Sequence, residues 1–290
     1  MEFLAPTTWA DALAAKAEQP DAVPVAGGTD VMVEINFDHR RPAALLDLTR
    51  VPDLQEWDTL DDGRVRLGAG VTYTRIIDEL GESLPGLAMA ARTVGSPQIR
   101  NRGTVGGNLG AASPAGDSHP PLLAADAEVE VASVRGARRI PVAEFYTGVK
   151  RNALAPDELI AAVLIAPAAG PQQFCKIGTR NAMVIAVSAF GLALHPQRRT
   201  VGTGIGSAAP TPRRADAAAD FLAGELAAAG LWESRGALPE GLAVEFGRKV
   251  RDAAAPIDDV RGSAAYRLHS LSVMARRAAT WAWDDYRRAA

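Results

Sequence analysis

Pro24-Val25-Ala26-Gly27-Gly28-Thr29-Asp30 joins a short apolar run at residues 23–26 to a helix-like segment that carries on through Val31 to residue 36. Gly103-Thr104-Val105-Gly106-Gly107-Asn108 repeats the theme further along the chain. Glycine lets backbone N–H groups approach an anion closely, and a helix start adds positive potential. The hydroxyls of Thr29 and Thr104 and the amide of Asn108 add donors. Either loop alone reads better as a tight turn. Two of them suit one pyrophosphate gripped from two sides.

The first loop belongs to a strand, turn, helix, strand unit. It is preceded by a helix over 7–18 and closed by the buried strand Leu45-Leu46-Asp47-Leu48, a pattern that predicts a small parallel sheet. A hairpin follows, turning at Asp61-Asp62-Gly63. Residues 73–80 and 87–94 read as helices, and 95–120, rich in Gly, Pro, Ser and Asn, as a long loop, either functional or disordered. Residues 129–132, 159–163 and 174–176 are strand candidates, expected to share a mainly antiparallel sheet. The second half changes character. Strands at 184–194 and 201–205 flank His195-Pro196-Gln197, and helices follow at 214–223, 242–253 and 266–288. The expectation is an α+β protein of two domains, 1–175 and 176–290.

Composition narrows the function. The 290 residues carry a formal charge of −3, which favours neither nucleic acid nor an anionic membrane. Arginine supplies 27 of the 31 basic residues, leaving four lysines: Lys16, Lys150, Lys176 and Lys249. The one cysteine, Cys175, can form no disulfide within the chain and can hold no cysteine-ligated iron–sulfur cluster. The start, Met1-Glu2-Phe3-Leu4-Ala5-Pro6, lacks the pattern of a secretory leader, and no apolar stretch approaches the ~18 residues of a membrane span. A soluble, cytoplasmic protein is expected. Gly68-Ala69-Gly70 meets Tyr73, and Gly202-Thr203-Gly204 meets Ser207, where a Rossmann fingerprint needs a third glycine. There is no Walker A loop.

Val25-Ala26-Gly27-Gly28-Thr29-Asp30 and Ile99-Arg100-Asn101-Arg102-Gly103-Thr104-Val105-Gly106-Gly107-Asn108-Leu109 resemble the two FAD-pyrophosphate loops of the flavin subunits of molybdenum hydroxylases, the xanthine and carbon monoxide dehydrogenase family. Ala112-Ser113-Pro114-Ala115-Gly116-Asp117, Lys176-Ile177-Gly178-Thr179-Arg180, Ala209-Pro210-Thr211-Pro212-Arg213-Arg214 and Ser263-Ala264-Ala265-Tyr266-Arg267 extend the likeness in order over nearly the whole chain. The resemblance implies the FAD-binding fold of p-cresol methylhydroxylase type. FAD would lie, non-covalently, between two α+β subdomains, followed by a small C-terminal domain with an antiparallel sheet and a helical bundle. It places Pro24, Val25, Ala26, Gly27, Gly28, Thr29, Asp30 and Val31, with Thr104, Val105, Gly106, Gly107 and Asn108, on the pyrophosphate. Asp117 falls at a polar contact to the adenosine part, Val94 and Ile160 at apolar contacts, and Lys176 at a polar one. The implied partners are a molybdopterin-binding large subunit and a small subunit with 2Fe-2S clusters. Electrons would pass through FAD to NAD, a quinone or oxygen. The alternatives are a stand-alone FAD-dependent oxidoreductase and a flavin-free scaffold; the intact glycine pairs argue against the last.

No catalytic residue and no metal ligand is expected. Ser113 has no visible base partner, and His39, His119, His195 and His269 show no metal spacing and read as solvent-exposed loop residues. Lys176 reads as well as a surface lysine as it does as a ligand, and Asp117 as a possible turn cap. Cys175 reads as a small buried hydrophobe, and Trp283 with Tyr286 as core packing on one helix face.

Overall fold

The structure, a computed structural model, describes residues 1–289 and contains three larger sheets and one two-stranded sheet around a cleft. The first 50 residues form β1 (Glu2–Leu4), α1 (Trp9–Glu18), β2 (Val23–Val25), α2 (Val31–Asn36) and β3 (Ala44–Asp47). Thr8 caps α1 by accepting from the Asp11 N–H at 3.1 Å. Lys16, at the other end, donates from Nζ to the carbonyls of Pro20 and Ala22, which fixes the turn into β2. The sheet order is β1-β3-β2, all parallel, as the alternating pattern around the first loop predicts. β1 was not anticipated, since its three residues are too few to show a period.

The middle of the chain forms β4 (Trp57–Thr59), β5 (Val65–Gly68), α3 (Tyr73–Glu79), α4 (Pro85–Thr93), α5 (Pro97–Arg100), α6 (Val105–Ala111), α7 (His119–Ala124), β6 (Glu128–Ser133), β7 (Gly136–Pro141), α8 (Val142–Phe145), β8 (Tyr146–Gly148), β9 (Arg151–Asn152) and β10 (Leu159–Ile165). Its main sheet is antiparallel in the order β4-β5-β10-β6-β7, and every residue of the central β10 is buried. Residues 95–120 are not one loop. They contain α5 and α6 and lead into α7, because proline at the first turn and tertiary packing override the low helix propensity of glycine.

The remainder forms β11 (Gln172–Ile177), β12 (Ser188–His195), β13 (Thr200–Gly206), α9 (Asp216–Ala228), α10 (Leu231–Ser234), α11 (Glu240–Asp252) and α12 (Ala264–Arg288). Phe174, Cys175 and Lys176 do not join the second sheet; β11 pairs antiparallel with β12, and β12 with β13. The packing on both faces explains why β12 is buried throughout. α12 covers one face, and α7 from the middle region covers the other. α7 lies directly on glycine: a Cβ on Gly202 would stand 1.8 Å from the Ala124 carbonyl oxygen, and one on Gly204 would stand 2.1 Å from that of Pro120. Trp232, Trp283 and Tyr286 pack together under the helices, as the spacing of the last two predicts, while Trp281 faces out.

His119 and His195 correct an expectation. Both are buried, His119 with Nδ1 2.7 Å from the Tyr146 hydroxyl and His195 with Nε2 3.3 Å from the Ala124 carbonyl oxygen. Burial pushes His119 down to about 3, so it is neutral at physiological pH. Cys175 is half-buried on β11, and burial raises its thiol to about 11.

The close seating of α7 yields a direct test. Gly204→Ala should lower the unfolding free energy by about 1–3 kcal/mol or more through overpacking. Gly224→Ala, where a Cβ meets nothing, should be neutral or stabilising. Equilibrium denaturation of both variants checks this, and equal stabilities would contradict the packing.

Candidate functional site

The two glycine loops meet. The first leaves the C-terminal end of β2, and the second enters α6, and residues of both line the same cleft. Gly27 makes the meeting possible: a Cβ there would lie 1.9 Å from the carbonyl oxygen of Arg102. Gly106 does the same on the far side, where its Cβ would lie 2.5 Å from the Ala69 oxygen, and its N–H donates to that oxygen at 3.1 Å. Gly28 turns the first loop with φ +73°, a left-handed conformation that favours glycine. Thr104 caps α6 through its hydroxyl, which accepts from the Gly107 N–H at 2.9 Å. Gly107 is of a different kind. A Cβ there would meet only the Thr104 hydroxyl, at 3.0 Å, so its missing side chain keeps the cleft open.

The cleft between these loops has a volume of about 770 Å³. Of the residues expected at the site, Pro24, Ala26, Gly27, Gly28, Thr29, Asp30, Val31, Val94, Thr104, Gly106, Gly107, Asn108, Asp117 and Ile160 line it. Three do not. Val25 pairs with Asp47 in the first sheet, Val105 is buried in the core at the start of α6, and Lys176 stands behind Asp117. Among the described residues, no other group of the chain accepts from the N–H of Gly27, Gly28 or Thr29.

Lys176 is not a surface lysine. Its side chain is 7% exposed, and its Nζ donates to Asp117 Oδ2 at 2.5 Å and to the Thr93 carbonyl at 3.1 Å. The Thr93 hydroxyl also reaches Asp117 Oδ2, at 3.2 Å. Asp117 is therefore no simple turn cap. Burial pushes its carboxyl up, against the pull of the Lys176 ammonium and the Thr93 hydroxyl. Its other oxygen, Oδ1, is buried without a hydrogen-bond partner among the described residues. A buried acceptor left in that state beside a cleft calls for a donor from whatever fills the cleft.

Several groups in or just behind the lining carried no signal in the sequence. Tyr73 and Ser118 join hydroxyls at 3.2 Å, and Ser118 donates to Asn108 Oδ1 at 2.5 Å, which turns the amide nitrogen of Asn108 away from this pair. Met183, Val184 and Ile185 form an apolar wall, although Val184 and Ile185 were expected to open a strand; β12 begins only at Ser188. Lys150 and Glu34, paired at 2.6 Å, link the β8–β9 turn to α2 at the rim. Among the described residues, no group of histidines, cysteines and carboxylates could hold a metal ion.

A glycine loop with free N–H groups at 27–29, packed against a second glycine loop at the start of a helix and joined to a cleft with an unpaired carboxylate oxygen, fits a nucleotide with a diphosphate bridge. Residues 1–168 match the family model described as the FAD binding domain in molybdopterin dehydrogenase. The xanthine dehydrogenase FAD-binding subunit of Escherichia coli O157:H7 is 34% identical over 218 residues, covering 71% of this chain and 74% of that one. The nicotinate dehydrogenase FAD-subunit of Eubacterium barkeri is 36% identical over 202 residues, covering 67% and 68%. Among solved structures, reconstituted CO dehydrogenase from Oligotropha carboxidovorans superposes with a TM-score of 0.89 at 27% identity, covering 98% of each chain. The chain belongs to the FAD-binding domain family of the molybdopterin dehydrogenases.

The Asp117–Lys176 pair generates a prediction about stability. Lys176→Met leaves a carboxylate buried without its cation, at a cost of about 3–5 kcal/mol near neutral pH. Without the lysine the Asp117 carboxyl rises further above its ordinary 3.8. A raised carboxyl favours folding below its unfolded value and loses that contribution as pH climbs through the folded value. Denaturation at about pH 5 and about pH 8 should therefore show the larger deficit at the higher pH. A deficit that does not depend on pH would contradict the assignment.

Proposed function

We propose that this chain is the flavin subunit of a multi-subunit molybdenum hydroxylase. It would take electrons from 2Fe-2S clusters on a small subunit, and pass them to NAD, a quinone or oxygen. The observation that carries the reading is the meeting of the two glycine loops in the lining of one cleft. Oxidation of the organic substrate falls to a molybdopterin-binding large subunit in this proposal. The chain's one cysteine agrees with clusters carried on another subunit. A division near residue 175, with the FAD-binding domain before it and the sheet and helices after it, and a cytoplasmic location belong to the same proposal.

In this reading the backbone N–H groups of residues 27–29 and of Thr104 and the hydroxyl of Thr29 donate to the two phosphates. Asn108 supplies an amide donor, and Asp117 offers Oδ1 to a hydroxyl or ring N–H, held in place by Lys176 and Thr93. Val94, Ile160 and the Met183–Ile185 wall exclude water from the apolar part of the cleft. FAD, when bound, supplies the electron-transfer chemistry of its isoalloxazine. No side chain is asked to act as acid, base or covalent anchor.

The test is reconstitution. The chain alone with FAD should show a flavin spectrum but no turnover of purines, aldehydes or other heterocycles. Turnover should begin only when the large and small subunits are co-expressed with it. Robust oxidation of an organic substrate by the chain alone would overturn the proposal in favour of a stand-alone oxidoreductase. A colourless protein that takes up no FAD would leave only a scaffold.

A further inference from the structure

Ser263-Ala264-Ala265-Tyr266-Arg267 opens α12 on the far side of the third sheet, and no residue of it lines the cleft. Arg267 is nevertheless buried, its side chain 3% exposed. Its Nη1 donates to the carbonyls of Val187 and Ser207, both at 2.6 Å, and lies 3.3 Å from the Ser207 hydroxyl. Its Nη2 donates to Asp259 Oδ1 at 2.6 Å. Ser207 relays these contacts in two directions: its hydroxyl donates to the Ala186 carbonyl at 2.7 Å, and its N–H to the Pro114 carbonyl at 2.7 Å.

Both directions end in walls of the cleft. Ala186 and Val187 directly follow Met183, Val184 and Ile185, and Pro114 lies between the lining residues Ser113 and Ala115. Met183 and Ile185 are each 55% exposed, so their own packing holds them weakly; the anchored end at 186–187 fixes the wall. Serine at 207 takes φ +58°, an uncommon conformation for a residue with a side chain, which aims its N–H and hydroxyl at the two separate segments. Only a guanidinium offers enough donors in a fixed fork to serve both carbonyls and a carboxylate from one buried point.

We infer that Arg267, acting through Ser207, is a positioning residue for the FAD cleft, locking the 183–187 and 113–116 walls in register and so setting how tightly the nucleotide is enclosed. A purely structural arginine, tying the start of α12 to its neighbouring loop, would need only the Asp259 contact. The inference rests on the FAD reading for its ligand, but the ordering of the walls is measurable without any nucleotide.

The test uses the full chain with two variants. Arg267→Lys keeps the charge and loses the fork. Ser207→Gly removes the hydroxyl at a backbone conformation that glycine prefers, so it does not depend on Arg267→Lys remaining folded. Amide hydrogen exchange on FAD-free protein should speed up by about tenfold or more at 183–187 in both variants, and at 113–116 in Arg267→Lys, with β12 and β13 unchanged. FAD titration followed by flavin fluorescence should show a Kd raised about tenfold or more. Unchanged exchange at both walls and unchanged FAD affinity, even with a lower melting temperature, would overturn the inference and leave Arg267 a scaffold residue. A wild-type chain that takes up no FAD would instead sink the functional reading, and the nucleotide-free exchange data tell the two failures apart.

Discussion

The contact of Gly27 with the Arg102–Gly103 backbone is the constraint on which the site depends. It brings together two loops whose sequences are more than 70 residues apart, and no residue with a side chain can make it. With the loops apart, each would be an ordinary turn at the start of a short helix. With them together, the free N–H groups of residues 27–29 stand beside the start of the second loop's helix, and the second sheet lies close enough through Ala69 and Gly106 to wall the space. The cleft is thus a consequence of two backbone-on-backbone contacts. Glycine serves there for the absence of a Cβ, and at Gly28 for its left-handed conformation.

Buried charge joins the last third of the chain to this cleft. Lys176 belongs to β11 of the third sheet, while Asp117 and Thr93 belong to the middle region. Their cluster therefore spans the two regions and faces the cleft with one oxygen still free. Arg267 makes a second bridge from the helices behind that sheet. α7, seated on Gly202 and Gly204, supplies the apolar packing between the two polar bridges. The region after residue 170 is in this sense part of the cleft's frame, and its sheet holds the wall that the loops cannot provide.

Much of this was legible in the sequence because the informative features were local. A Gly-Gly pair after an apolar run identified the first loop, a second Gly-Gly pair beside Thr104 and Asn108 identified the other, and the period of the helices in the second half placed the bundle. The failures have physical causes. Residues 95–120 read as a loop because their helices are built from Gly, Pro and Ala, whose stability comes from burial and not from propensity. Val184 and Ile185 look like the start of a strand by residue type, yet they lie outside β12 and line the cleft. Asp117 and Lys176 are 59 positions apart, and nothing in either neighbourhood shows that they form a buried pair. The burial of His119 and His195 was hidden for the same reason, since both are enclosed by elements distant in sequence.

The central claim is that two loops hold one diphosphate bridge. Calorimetric titration of the flavin-free chain with FAD and, separately, with FMN tests it most directly. FMN keeps the isoalloxazine and one phosphate but lacks the bridge and the adenosine. The account predicts that FAD binds at least about a hundredfold more tightly, since several charge-assisted hydrogen bonds depend on the second phosphate. Equal affinity for the two flavins would contradict it, because the loops would then be turns with no part in holding the nucleotide.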